Sequence, residues 1–177
     1  MAKHLGIIGY PLAHSISPAF QQAALDHYGL PARYASWPTP PEGLSDRVNE
    51  LRGEEYLGAN VTIPHKERVR QMLDGVDSWA RVVGAVNTIV MKGGELIGHN
   101  TDAYGFVRSL KEKAGFEPED RSVLLLGAGG AARAAAFGLA ELLGLDDMMP
   151  VTVERRWNGK RGALSWWLGE TWMCVRI

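Results

Sequence analysis

Through the first hundred residues, short apolar runs alternate with stretches whose apolar positions recur every three to four residues. The runs at 5–8, 34–37 and 58–63 read as strands, whereas 19–28, 41–51 and about 65–73 carry helical spacing, the first of these closed by Gly29. This βαβ rhythm predicts an α/β fold with a mostly parallel sheet covered by helices. Two further runs, 86–91 and 95–97, flank Gly93-Gly94 and read as a small hairpin that finishes a first domain. A helix over 103–114 then leads through Gly115 and the polar stretch 117–121 to an apolar strand at 123–126, where a second domain starts. The chain carries no internal repeat and no low-complexity tract.

The second start is followed at once by Gly127-Ala-Gly129-Gly-Ala-Ala132 and an alanine-rich helical stretch. This order of strand, glycine-rich turn and helix fits the dinucleotide-binding fingerprint. Gly127 would allow the tight turn, Gly129 the close approach of a pyrophosphate, and Ala132 close packing of helix on strand. The phosphates would sit on free N–H groups at the positive end of the helix dipole. Gly127, Ala128, Gly129, Gly130 and Ala131 are therefore the candidate cofactor contacts. The plainer reading is a glycine-rich turn that holds no ligand.

Composition narrows the partners. The 177 residues suit one large domain or two small ones, and a chain of this size buries roughly 70% of its unfolded surface. With 22% charged residues and a net charge of −1, no global basic field exists to hold nucleic acid or an anionic membrane. A small molecule is the expected partner. The lone Cys174 excludes an internal disulfide. The N-terminal apolar run is broken by Gly6, Gly9 and Pro11, and no apolar run approaches the roughly 20 residues of a bilayer span, so a cytoplasmic location is expected.

Several polar groups fall just past strand ends, where sheets with parallel strands present ligands. Ser15 and Ser17 follow the first strand in His14-Ser-Ile-Ser-Pro18; Asn60 and Thr62 flank the end of the third, with Lys66 shortly after; Asn87 begins the hairpin; Asn100 and Asp102 precede a helix. Each has a structural reading of its own. Ser17 before Pro18 and Asp102 are good helix N-caps, Asn100 is a turn residue, and Lys66 is a solvated helix charge. Ser15 remains available to bind a carboxylate. The five histidines show no paired zinc-ligand spacing, and no metal is assigned.

Taken together, Ser15-Ile-Ser17, Asn60-Val-Thr-Ile-Pro-His-Lys66, Gly84-Ala-Val-Asn87-Thr, Gly98-His-Asn-Thr-Asp102 and Gly127-Ala-Gly-Gly-Ala-Ala-Arg-Ala134 resemble the shikimate dehydrogenase family, in its order and with similar spacing, over residues 1 to about 140. The resemblance implies an NADP-dependent oxidoreductase that reversibly reduces 3-dehydroshikimate to shikimate, a step toward chorismate and the aromatic amino acids. It implies a substrate-binding α/β domain followed by a Rossmann-like nucleotide domain. By the match, Ser15 and Ser17 would bond the substrate carboxylate, Thr62, Asn87 and Asp102 would hold the ring and its hydroxyls, and Lys66 would be the catalytic acid and base. Hydride arriving at a carbonyl carbon leaves a developing alkoxide, which needs a proton and positive charge nearby. An ammonium supplies both, and Asp102 close by would keep it charged and aimed.

The resemblance fades after about residue 143, and the nucleotide domain is expected to be incomplete through truncation or a shifted reading frame. The expected organisation is a substrate domain over 1–101, a connecting helix and linker over 102–121, a partial nucleotide domain over 122–154 and a divergent tail over 155–177. Val151-Thr-Val153 reads as the second strand of the nucleotide sheet. The family would then show Asn-Arg-Thr, where this chain has Glu154-Arg-Arg-Trp157. Arg155 or Arg156 would meet a 2′-phosphate of NADP, whereas Glu154 would suit the ribose of NAD, so both cofactors stay open. Four of the six tryptophans fall after residue 156, in a segment without a clear pattern of strand, turn and helix. Trp166, Trp167 and Trp172 offer an apolar patch for pairing with another chain, which leaves oligomerisation open. The alternatives are a catalytically impaired fragment, a module that binds shikimate-like acids without turnover, and a quinate/shikimate dehydrogenase using NAD.

Overall fold

In the computed structural model, residues 2–117, 129–142, 152–157, 160–165, 167–168 and 171–172 are described, with side-chain surroundings for 2–117 and 129–141. The chain forms two compact units, Met1–Arg81 with Ala85–Asn100, and Val82–Gly84 with Thr101–Ile177.

The first unit is built on β1 (Lys3–Gly9), which runs parallel to β2 (Ala32–Pro38) on one side and to β3 (Gly58–Val61) on the other. Helix α1 (Ser17–His27) makes the crossover from β1 to β2, and ends as the sequence predicts, with Gly29 in the left-handed region at φ 62°. The expected hairpin joins the same sheet. β5 (Thr88–Lys92) pairs antiparallel with both β3 and β6 (Glu95–His99), and its turn residues Gly93 and Gly94 take φ of 62° and 86°. The two-residue β4 (Gly75–Val76) runs parallel to β6, which completes a six-stranded mixed sheet in the order β2-β1-β3-β5-β6-β4.

Alternation along these strands sends Ile8, Ala59, Val61, Ile89 and Leu96 into one core. Opposite them lies α2 (Leu44–Glu50), entered through a 3₁₀ turn at Pro41–Gly43; Leu44, Val48 and Leu51 recur at helical spacing and are buried. Burying one such leucine or isoleucine stabilises by about 1.5–3 kcal/mol.

Two helical expectations change on contact with the structure. The stretch 65–73 is only a 3₁₀ turn, Arg68–Met72, because the Lys66 carbonyl that would accept an N–H four residues on accepts the Val86 N–H at 2.7 Å instead. An unanticipated helix, α3 (Ser78–Val83), follows β4, and the Asp77 carboxylate accepts the Ala80 N–H at 2.6 Å.

In the second unit, α4 (Asp102–Ala114) carries Asp102 in its first turn, Lys111 and Lys113 in its last, and Gly115 left-handed at φ 58° behind it. That distribution complements the helix dipole. α5 (Gly130–Leu142) packs on α4 through small residues: a β-carbon at Gly138 would lie 2.8 Å from the Val107 methyl and 2.9 Å from the Ala103 carbonyl. The expected strand at 123–126, with Gly127 and Ala128, lies outside the described residues. β7 (Thr152–Trp157) pairs antiparallel with β8 (Lys160–Ser165), and β9 (Trp167–Leu168) with β10 (Thr171–Trp172). Thr152 and Val153 of the strand expected at 151–153 lie on β7, and the tail expected to be without pattern carries paired strands among its described residues. The overlooked signal is Asn158-Gly159, the pair that two-residue hairpin loops favour most.

Candidate active site

Strand direction gathers the candidates of the first unit. β1 and β3 are parallel with Ile8 opposite Val61, so their carboxyl ends lie side by side. β5 is antiparallel to β3 with Thr88 opposite Asn60, so its first residue reaches that same edge. Thr62 therefore follows β3 there, and Asn87 precedes β5 there.

Backbone hydrogen bonds then fix these positions. The Thr62 N–H donates to the Ile8 carbonyl at 2.9 Å, and the Tyr10 N–H to the Ile63 carbonyl at 3.0 Å. Asn87 is held on both sides: its N–H donates to the His99 carbonyl at 3.0 Å and its carbonyl accepts the Val61 N–H at 2.8 Å. Lys66, half-buried, is bound through its carbonyl to Val86, the residue before Asn87. Thr62, Lys66 and Asn87 are thus held on one framework. Gly9 makes room for it, since a β-carbon there would come within 2.4 Å of the Thr62 methyl.

His65 is a part of this framework that sequence reasoning missed. It is 1% exposed, and its Nε2 lies 2.6 Å from the Thr39 carbonyl, which can only accept, so that nitrogen carries the proton. Thr39 in turn donates its N–H to the Gly9 carbonyl at 2.9 Å. The ring therefore ties the turn carrying Lys66 to the ends of β1 and β2. A buried histidine inside a run of turn residues was the available signal.

The serines and Asp102 depart from their structural readings. Ser17 is the first residue of α1, whose N-cap is Ile16 without a side-chain cap; the Ser15 Oγ accepts the Ser17 N–H at 3.4 Å. Ser15, rather than Ser17, meets the helix start, and its O–H still has a proton to donate. Asp102 is likewise the first residue of α4, and the N-cap is Thr101. Asn100, read as a turn residue, is 4% exposed, and its amide donates to the Ala85 carbonyl at 2.9 Å.

Of the cofactor candidates, Gly129, Gly130 and Ala131 stand at the start of α5, Arg155 stands on β7 opposite Gly162, and Gly127 and Ala128 lie outside the described residues. The start of α5 suits an anion, because its first turn holds no acidic residue and, among the described residues, nothing lies within 4 Å of a β-carbon built on Gly129. Among the described residues, no group of three or more His, Cys, Asp or Glu is placed to hold a metal ion, and no helix is long and apolar enough to cross a membrane.

The backbones of Thr62, Lys66 and Asn87 are thus joined at one strand edge of a mixed sheet flanked by helices. Residues 7–89 match the family model of the shikimate dehydrogenase substrate binding domain. The chain is 52% identical over 136 residues to the shikimate dehydrogenase (NADP(+)) of Geobacter metallireducens, which covers 77% of this chain and 48% of that protein. Among solved structures, it resembles the shikimate 5-dehydrogenase of Thermus thermophilus in complex with NADP(H) and shikimate, with a TM-score of 0.72 and 44% identity over 78% of this chain and 52% of that one. It also resembles the Listeria monocytogenes shikimate 5-dehydrogenase in complex with shikimate and NAD, with a TM-score of 0.73 and 36% identity over 79% of this chain and 48% of that one. The chain belongs to the shikimate dehydrogenase family, and it spans about half the length of the relatives it matches.

Proposed function

We propose that this chain carries the substrate site of a shikimate dehydrogenase, an enzyme that reversibly reduces 3-dehydroshikimate to shikimate with NADPH. The observation that supports this reading most is the shared backbone framework of Thr62, Lys66 and Asn87, inside the segment that matches the substrate-binding domain. Ser15 and Ser17 bind the substrate carboxylate at the start of α1, where N–H groups and the helix dipole favour an anion. Thr62 and Asn87 hold the ring hydroxyls. The nicotinamide cofactor, when bound, supplies the hydride. Lys66 supplies the proton to the oxygen that becomes an alkoxide, and withdraws it in the reverse direction.

Gly127, Ala128, Gly129, Gly130 and Ala131 would hold the pyrophosphate of NADP, and Arg155 its 2′-phosphate. Glu154 beside Arg155 favours a second reading in which NAD serves, as the complex with NAD in the Listeria relative illustrates. Residues 1–101 form the substrate domain in this reading, 102–121 the connecting helix and linker, and 122–154 the nucleotide-binding part. A cytoplasmic location is consistent with a single cysteine.

The test is reduction of NADP and of NAD at 340 nm by the purified chain, with shikimate and then quinate. Turnover with shikimate is expected, and Lys66→Ala is expected to lower it about 10²- to 10⁴-fold. Shikimate binding without turnover would instead favour a module that only binds shikimate-like acids. An undiminished rate in Lys66→Ala would remove the lysine from its role.

A further inference from the structure

We infer that Tyr34, Asn60 and Thr88 form a directional hydrogen-bond relay that orients the Asn87 side chain, so that its amide N–H groups rather than its oxygen are turned toward the substrate edge. The inference rests on the reading of Asn87 as a substrate contact. The relay joins residues of three strands, β2, β3 and β5, and spans β1, which lies between the first two. The Tyr34 O–H on β2 lies 2.7 Å from Asn60 Oδ1 on β3, Asn60 Nδ2 lies 3.2 Å from Thr88 Oγ1 on β5, and Thr88 Oγ1 lies 3.1 Å from Asn87 Oδ1.

Such a chain has two self-consistent polarities, because phenol and threonine hydroxyls both donate and accept. The backbone selects one. Asn60 Nδ2 also lies 3.5 Å from the Asn87 carbonyl, which can only accept, so the Asn60 nitrogen faces β5 and its oxygen faces Tyr34. Tyr34 must then donate. Thr88 Oγ1, already accepting from Asn60, sends its own proton to Asn87 Oδ1, and the Asn87 nitrogen is turned away from Thr88. Burial raises the Tyr34 hydroxyl to a pKa of about 12, which keeps it a donor at every working pH. The strand beneath it is held as well: the Tyr34 N–H donates to Gln22 Oε1 of α1 at 2.8 Å.

A donor edge on Asn87 suits a substrate oxygen that is a carbonyl or alkoxide during the reaction, since neither can donate in return. Tyr34, Asn60 and Thr88 are positioning residues, because each acts through Asn87.

The experiment follows the side-chain amide signals of Asn60 and Asn87 in ¹H–¹⁵N spectra of the 177-residue chain, alongside shikimate titration. Thr88→Val, which keeps the shape and deletes the hydroxyl, is expected to move the Asn87 signals and weaken shikimate binding about tenfold. Thr88→Ser should restore both. Tyr34→Phe should move the Asn60 signals and, to a smaller extent, those of Asn87. Unchanged Asn87 signals in Thr88→Val, with its backbone spectrum intact, would overturn the relay; if that variant does not fold, unchanged Asn60 signals in Tyr34→Phe would do so. The amide signals decide the relay without ligand, so a chain that binds no shikimate would count against the proposed function alone.

Discussion

The sheet of the first unit is filled by Ile8, Leu44, Leu51, Ile89 and Leu96, all fully buried, whereas the buried residues of α5 are Ala134, Ala135, Ala136, Leu139 and Ala140, with Gly138 set against Val107 and Ala103 of α4. One region is stabilised by large apolar surfaces and a fixed strand register. The other depends on close backbone approach. Removing atoms should therefore harm the sheet more, whereas the helix pair should be harmed chiefly by added atoms, a sensitivity that the sheet shares at Gly58.

The largest effect is expected where the sheet itself tolerates no added atom. Gly58 has a φ of 144°, and a β-carbon there would sit 2.0 Å from the Ile89 carbonyl, a backbone atom that cannot step aside. Gly58→Ala should destabilise by about 4 kcal/mol or more, read as a fall in the urea midpoint; a midpoint close to the parent's would show that β3 and β5 separate cheaply. Next comes Leu96→Ala, expected to cost about 2–5 kcal/mol by the same measurement. Gly138→Val should cost about 1–3 kcal/mol and speed amide exchange in α4 and α5 while leaving β1 and β3 protected. Equal loss of protection in β1 would erase the contrast between the regions.

The smallest effect is electrostatic. The Arg52 guanidinium grips the Asp74 carboxylate at 2.7 and 3.1 Å, and with the Leu96 N–H it holds Asp74 below the usual carboxylate range. A lowered native pKa means that this contribution is present above the unfolded pKa and is lost as pH falls through the folded one. The pair is exposed, so Asp74→Asn should lower thermal stability only slightly at neutral pH, with the gap to the parent closing below about pH 4. A gap that widened in acid would reverse the assigned sign.

Periodicity made most of the sheet legible, because 5–8, 34–37 and 58–63 are short runs set between helical stretches, and 5–8 and 58–63 supply the buried strands at its centre. It failed where tertiary bonds outbid local preference: the carbonyl of Lys66 is taken by Val86, and 65–73 never becomes an α-helix. It also missed α3, although Asp77 ahead of Ala80 was a capping signal in plain view. The candidate site was readable as a set of residue types just past strand ends. Its support was not, because Tyr34, Thr39 and Thr88 meet their partners only once β2, β3 and β5 are aligned, and no local spacing encodes that alignment. Gly127 and Ala128 fall outside the described residues, so the glycine fingerprint stands in the structure only from Gly129 onward.

The central claim is that the substrate is recognised at the edge where β1, β3 and β5 meet. The most direct test is titration of the chain with shikimate, without cofactor, followed by backbone amide shifts. Saturable shifts largest at Ser15, Ser17, Thr62, Lys66 and Asn87 are predicted. Shifts that concentrate elsewhere, or none at millimolar shikimate, would contradict it.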